Sequence, residues 1–195
     1  MNILSTRRLL SAFALVLALP AFGADVYKID AVHSEASFRV RHLVSKVSGK
    51  FARFTGTITV DNTNIALSTV DVAIETPSIS TENEARDKHL KSPDFFEVDK
   101  YPAITFKSTA VKEVAKGKLE VTGLFTMHGV AKVITIPVTN LGTSPGMKPG
   151  TFVAGFEGSL KINRSDYGIK YGIPAVGDEV EITLNVEAGK VEPKS

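Results

Sequence analysis

From Ala24 onward the chain is written almost entirely in period two, apolar side chains alternating with polar ones, and such a chain builds sheet rather than helix. Phe38, Val40 and His42 alternate with Ser37, Arg39 and Arg41; Val70, Val72 and Ile74 alternate with Asp71, Ala73 and Glu75. Ile104 and Phe106 stand against Thr105 and Lys107, and Leu119, Val121, Gly123, Phe125 and Met127 against Glu120, Thr122 and Thr126. Near the C-terminus Phe152, Ala154, Phe156, Gly158, Leu160 and Ile162 share one face, and Val180, Ile182, Leu184 and Val186 another. Segments near 37–43, 49–60, 69–76, 103–112, 118–128, 132–141, 151–163 and 179–188 therefore read as about eight half-buried strands. His128-Gly129 and Lys116-Gly117 are the plainest hairpin tips among them.

One stretch breaks the rhythm. Residues 80–91 run from hydroxyls and acids to cations, Ser80-Thr81-Glu82 to His89-Leu90-Lys91, an order that suits helix capping and the macrodipole. Pro93 stops it. Strands with one apolar and one charged face must hide the apolar face, either by closing on themselves or by packing a second sheet. The first solution is an all-β, eight-stranded antiparallel β-barrel with one short helix; the second is a two-sheet sandwich. Asp71, Glu75, Lys107, Glu120, Glu157, Lys161, Glu181 and Glu187 are spread along the polar face. A lipid-facing wall would hold those charges in hydrocarbon at a few kcal/mol each, so the charged face meets water and the Phe-rich face turns inward.

The first residues have a different character. Arg7 and Arg8 precede an apolar run from Leu9 to Leu19, followed by Pro20 and small residues at Ala21 and Gly23. The run is short for roughly 30 Å of hydrocarbon, and the arrangement is that of a secretory leader cut before Ala24. The expected division is residues 1–23 as signal peptide and 24–195 as one barrel domain, exported to the periplasm with no membrane-spanning segment after the leader. Setting Arg7 and Arg8 aside, cations and acids balance, leaving no basic excess to hold nucleic acid. With no cysteine in the chain, disulfide frameworks, thiol nucleophiles and thiolate metal sites are excluded, and packing and sheet pairing carry the stability.

Several sequence blocks resemble the YceI-like family of exported, lipocalin-like proteins. They are the start Ala24-Asp25-Val26-Tyr27-Lys28-Ile29-Asp30, His33-Ser34, Phe38-Arg39-Val40-Arg41-His42, Gly49-Lys50-Phe51 and Phe54-Thr55-Gly56. The central block is the most specific, Asn83-Glu84-Ala85-Arg86-Asp87-Lys88-His89-Leu90-Lys91-Ser92-Pro93-Asp94-Phe95-Phe96, then Tyr101-Pro102-Ala103-Ile104-Thr105-Phe106-Lys107-Ser108. Gly123 with Thr126, His128-Gly129-Val130, Arg164-Ser165-Asp166-Tyr167-Gly168 and Gly177-Asp178-Glu179-Val180 complete it. The resemblance implies a barrel whose bore takes a polyisoprenoid or similar long-chain lipid, such as an isoprenoid quinone, a polyprenyl phosphate or a fatty amide, without catalysis. It implies no cofactor and leaves the oligomeric state open, a homodimer included. The Gly-x-Trp of true lipocalins is missing, as the chain has no tryptophan.

The residues agree with that implication. The inward face offers Phe38, Val40, His42, Phe51, Ile58, Val72, Ile74, Phe106, Phe125, Met127, Ile136, Phe152, Phe156, Leu160, Ile182 and Leu184 as a bore. A strand of about ten residues at roughly 3.3 Å each makes a wall on the order of 25 Å tall once tilted. Gly56, Gly123, Ala154 and Gly158 fall on the same face; small residues there either open volume for a ligand or only let the barrel taper. An open bore and a filled, purely structural or protein-interaction barrel are both compatible with the pattern. For a head group at the rim the candidates are Arg86, His89, Arg164, Tyr167 and Tyr171, with a structural cap-and-pair as the other role for Arg86 and Asp87. Phe95 and Phe96 are expected to plug a barrel end. Of His33, His42, His89 and His128 none sits at metal-ligand spacing, and no Gly-x-Ser-x-Gly nucleophile elbow occurs, so neither a metal nor a catalytic residue is assigned.

Overall fold

The computed structural model describes residues 23–192; the leader expected over residues 1–23 lies outside them but for Gly23. The strands are β1 (Ala24–Ile29), β2 (Glu35–His42), β3 (Ser45–Phe51), β4 (Phe54–Asp61), β5 (Thr69–Glu75), β6 (Ile79–Ser80), β7 (Ala103–Ala115), β8 (Lys118–Met127), β9 (Val130–Pro145), β10 (Phe152–Asn163) and β11 (Val176–Lys190), with one α-helix, α1 (Glu84–Lys91). Antiparallel pairing runs β1-β4-β5-β7-β8-β9-β10-β11 and returns from β11 to β1, closing an eight-stranded ring, so the barrel prevails over the sandwich.

Three wall positions are each made of two strands. β1 and β2 share one, broken at residues 30–34, where the Asp30 carboxylate accepts the Val32 N–H at 2.9 Å. β3 and β4 share the next, broken at Ala52 and Arg53, whose N–H groups donate to the Ser78 carbonyl and hydroxyl. β5 and β6 share the third. Hence the span read as one strand over 49–60 is two, and β1 extends the wall beyond the eight expected segments. The lower half of the barrel closes through β1 and β4, while the upper half continues from β11 into β2, β3 and β6. β9 and β10 pair only where Val138–Pro145 meets Phe152–Gly158, and diverge above that. Lys132 and Asp166 span the divergence with a 3.1 Å ion pair.

The two glycine hairpins form as expected. Gly117 has φ +70°, and His128 and Gly129 have φ +51° and +75°, the left-handed pair that matches strand twist in a two-residue turn. The helix starts later than the polar run suggests, because the Asn83 side chain caps it by accepting the Arg86 N–H at 3.0 Å. Tyr27, Ala154 and Ala188 pack with Ile58 and Phe156 at the lower end. Phe95, Ile104, Met127, Tyr167 and Ile169 pack at the helix end.

The small inward residues divide into two kinds. A Cβ on Gly123 would stand 2.4 Å from the Lys107 carbonyl oxygen, and one on Gly56 2.9 Å from that of Asp71. Those glycines let neighbouring strands approach. Ala154 is fully packed among Tyr27 and Ala188. Gly158 alone of the four faces open volume, and a Cβ there meets nothing closer than 3.5 Å.

Candidate functional site

The bore is unfilled. It encloses a cavity of about 690 Å³ running from the turn at Ile65 to the helix, within the size range of small-molecule sites. Every residue expected in the bore lines it except Phe152: Phe38, Val40, His42, Phe51, Ile58, Val72, Ile74, Phe106, Phe125, Met127, Ile136, Phe156, Leu160, Ile182 and Leu184. Phe152 has the right parity and the wrong height. It begins β10 just before Val153, the first residue of that strand to pair with β11, and stays 46% exposed.

The upper end is built by α1 and the chain that follows. Ala85, Arg86, His89 and Leu90 all line the cavity, their spacing setting them on one helical face. The Thr81 N–H and hydroxyl donate to Asp87 at 2.8 and 2.5 Å, while the Arg86 guanidinium donates to the Thr81 hydroxyl and carbonyl at 2.7 and 2.9 Å. Arg86 and Asp87 are thus tied to Thr81 rather than to each other, which fixes the helix and leaves further guanidinium N–H donors beside the cavity. His89 is hydrogen-bonded through Nε2 to Asp94 at 2.8 Å, its ring set edge-on against Phe95 and Tyr171. Phe95 and Phe96 roof the cavity as expected of a plug, and Val47 and Val176 extend the lining to the mouth. The pattern gave no separate sign of Ala85 and Leu90, although their spacing from Arg86 and His89 marks one face.

Two of the rim candidates have other surroundings than expected. Tyr167 is only 2% exposed, wedged edge-on against Phe125 with ring centroids 5.4 Å apart, and it does not line the cavity. Burial raises its phenol above the ordinary range. It sits in a tight turn over Arg164–Tyr167 whose backbone is pinned from two sides: its carbonyl accepts from His128 Nδ1 at 3.1 Å, and Ser165 donates twice to Asp178. Arg164 lines the cavity but is buried, its guanidinium donating to the carbonyls of Gly177, Val176 and Ile169 at 2.8, 2.8 and 3.1 Å. Desolvation lowers its pKa, opposed by the nearby Asp178 charge. Three carbonyls in one fork make it a brace that ties the loop before β11, at Ile169, to the start of that strand, at Val176 and Gly177. Arg86, His89, Tyr171 and His42 are left as the polar groups at the mouth.

Away from the cavity, Asp30, His33 and Glu187 gather at the break between β1 and β2. His33 Nδ1 lies 2.9 Å from Asp30 and 3.9 Å from Glu187. The Asp30 hydrogen bond, then the charges of Asp30 and Glu187, raise the His33 pKa, and the same bond lowers that of Asp30. This exposed cluster is accounted for by its own hydrogen bonds. Among the described residues no helix is long and apolar enough to cross a membrane.

The chain is similar to other proteins in sequence and, separately, to solved structures. A UPF0312 protein of Pseudomonas aeruginosa is 42% identical over 190 residues, covering 93% of this chain and 97% of its own length. One of Vibrio parahaemolyticus is 40% identical over 185 residues, covering 92% and 94%. Among solved structures, the Campylobacter jejuni YceI protein matches at 33% identity and a TM-score of 0.69, over 78% of this chain and 90% of that one. Burkholderia cenocepacia BcnA matches at 26% and 0.72, over 82% and 98%. A polyisoprenoid binding domain from Saccharophagus degradans shares the fold at 16% identity and a TM-score of 0.65, over 85% and 98%. The model of the YceI-like domain matches residues 27–188, and with it the chain belongs to the YceI-like family.

Proposed function

We propose that this chain is a non-catalytic periplasmic carrier, matured by removal of residues 1–23, that sequesters a polyisoprenoid or similar long amphiphilic lipid in its barrel. The observation that carries this reading is the unfilled, mainly apolar cavity of about 690 Å³, with Arg86, His89 and Tyr171 lining its helix end. Each methylene moved from water into such a bore is worth about 0.8 kcal/mol, so a few isoprene units outweigh the cost of association. The chain would lie along Phe38, Phe106, Phe125 and Phe156, and a phosphate or quinone head would meet Arg86, His89 and Tyr171. The polyisoprenoid-binding domain that shares the fold supports the choice of ligand class.

A ligand held only by the native state raises stability by mass action, by about 2.7 kcal/mol at a hundredfold excess over Kd. Adding a polyprenyl phosphate dispersed in mild detergent should therefore raise the unfolding temperature progressively with concentration, detergent alone serving as the blank. An unfolding temperature that stays level throughout the titration contradicts the carrier.

A further inference from the structure

The mouth of the barrel carries an apolar surface whose construction works against both folding and solubility. The β2–β3 hairpin turns on Leu43 and Val44, which are 61% and 96% exposed. Leu43 has φ +50°, a left-handed conformation that a bulky side chain adopts at a cost and that Asn-Gly or Asp-Gly adopts cheaply. The same chain places glycine in the turns at Gly117 and Gly129. Beside this tip runs the loop before β11, tied to it by the Leu43 N–H donating to the Ala175 carbonyl at 2.8 Å. That loop adds Tyr171 and Ile173, 49% and 41% exposed. Scattered exposed apolar residues mean little; four on two touching loops, with a strained turn at their apex, form a patch that marks contact.

The charges around the patch indicate what it meets. Arg41 and Lys46 are cross-strand partners immediately below the tip, two cations side by side. Glu181 on β11 takes Lys46 at 2.7 Å, and Lys170 adds a further exposed cation just before Tyr171. Apolar side chains at the apex with a collar of Lys and Arg behind them is the arrangement of a segment that enters a bilayer interface, its cations level with lipid phosphates. We propose that the Leu43-Val44 tip, with Tyr171 and Ile173 beside it, docks this protein onto the surface of an anionic phospholipid bilayer. Because His42, Val47, Tyr171 and Val176 of the same region line the cavity, docking sets the barrel mouth against the membrane. On the carrier reading, on which this last point rests, that is where an isoprenoid chain would enter.

The test is flotation of the protein, processed as its host leaves it, with vesicles of phosphatidylethanolamine and phosphatidylglycerol, and with phosphatidylcholine vesicles for comparison. The parent should float with the anionic vesicles and release them at high salt. The double variant Leu43→Ser, Val44→Ser removes the apex without touching the barrel ring and shares the parent's N-terminus; it should lose about tenfold in partitioning. Lys170→Gln should weaken the salt dependence. A folded double variant that floats like the parent overturns the proposal. So does a parent that ignores both vesicle types while light scattering shows a dimer that the double variant loses, since the tip then serves a second copy. Lipid uptake without vesicle binding sinks the docking and leaves the carrier; vesicle binding without lipid uptake does the reverse.

Discussion

Replacing Gly158 by phenylalanine is expected to lower retention of a polyprenyl lipid at least about tenfold while the barrel stays folded. A Cβ at this position touches Ile136 and Leu184 at ordinary contact distances of 3.5 and 3.6 Å, and beyond it lies the cavity. The ring would occupy space the ligand needs, burying apolar area at about 25 cal/mol per Å² and relieving a glycine that weakens a strand by roughly 0.5–1 kcal/mol. Thermal stability should therefore be level or higher, and binding by intrinsic-fluorescence or radiolabel titration sharply lower. Gly123→Val is the contrast. Its Cβ would lie 2.4 Å from the Lys107 carbonyl and 2.7 Å from the Phe106 ring, so it should cost about 1–3 kcal/mol by overpacking and lose lipid only as it loses fold. Undiminished binding by a folded Gly158→Phe protein would mean that the ligand lies elsewhere.

Arg164→Ala should be the most destabilising single change in the upper half of the barrel, about 3–5 kcal/mol by urea unfolding. Three carbonyls lose their donor at once, those of Gly177, Val176 and Ile169, and each buried acceptor left unpaired costs about 1–3 kcal/mol. Arg164→Lys should recover only part, since one ammonium lacks the planar fork that reaches all three. A loss below about 1 kcal/mol would show that water or a shifted side chain satisfies those carbonyls, and that Arg164 is no brace.

Period-two alternation made the barrel legible because a half-buried strand must repeat its apolar face at every second residue. Hence nearly all of the inward residues from Phe38 to Leu184 line the cavity. What alternation does not carry is height along the wall, and Phe152, correct in parity, lies at the rim. Nor does it carry the breaks at residues 30–34 and 52–53, which depend on Asp30 and Ser78 meeting backbone groups. The end of the barrel was the least legible part. Arg164 and Tyr167 look like mouth residues by composition, a cation and a phenol in a loop, but the turn folds inward because carbonyls and Phe125 are there to receive them. Arg86 and Asp87, read as one structural pair, are instead joined through Thr81, a partner several residues away in sequence but adjacent once Asn83 caps the helix.

Glycine illustrates the same boundary. Gly56, Gly123 and Gly158 are equivalent in the alternation, yet two are pressed against neighbouring backbone and one opens on the cavity. The difference lies in strand coiling, which the sequence pattern does not encode position by position.

The proposed carrier role requires an apolar bore that is occupied in the cell. Native mass spectrometry of the protein released gently from its host, followed by organic extraction of the same sample, measures this directly. A lipid carrier would show a mass above that of the polypeptide alone, with the surplus recovered as a long-chain isoprenoid or comparable amphiphile and lost in the Gly158→Phe protein. A bare polypeptide mass, with nothing extractable and no uptake on adding polyprenyl lipid, would contradict it.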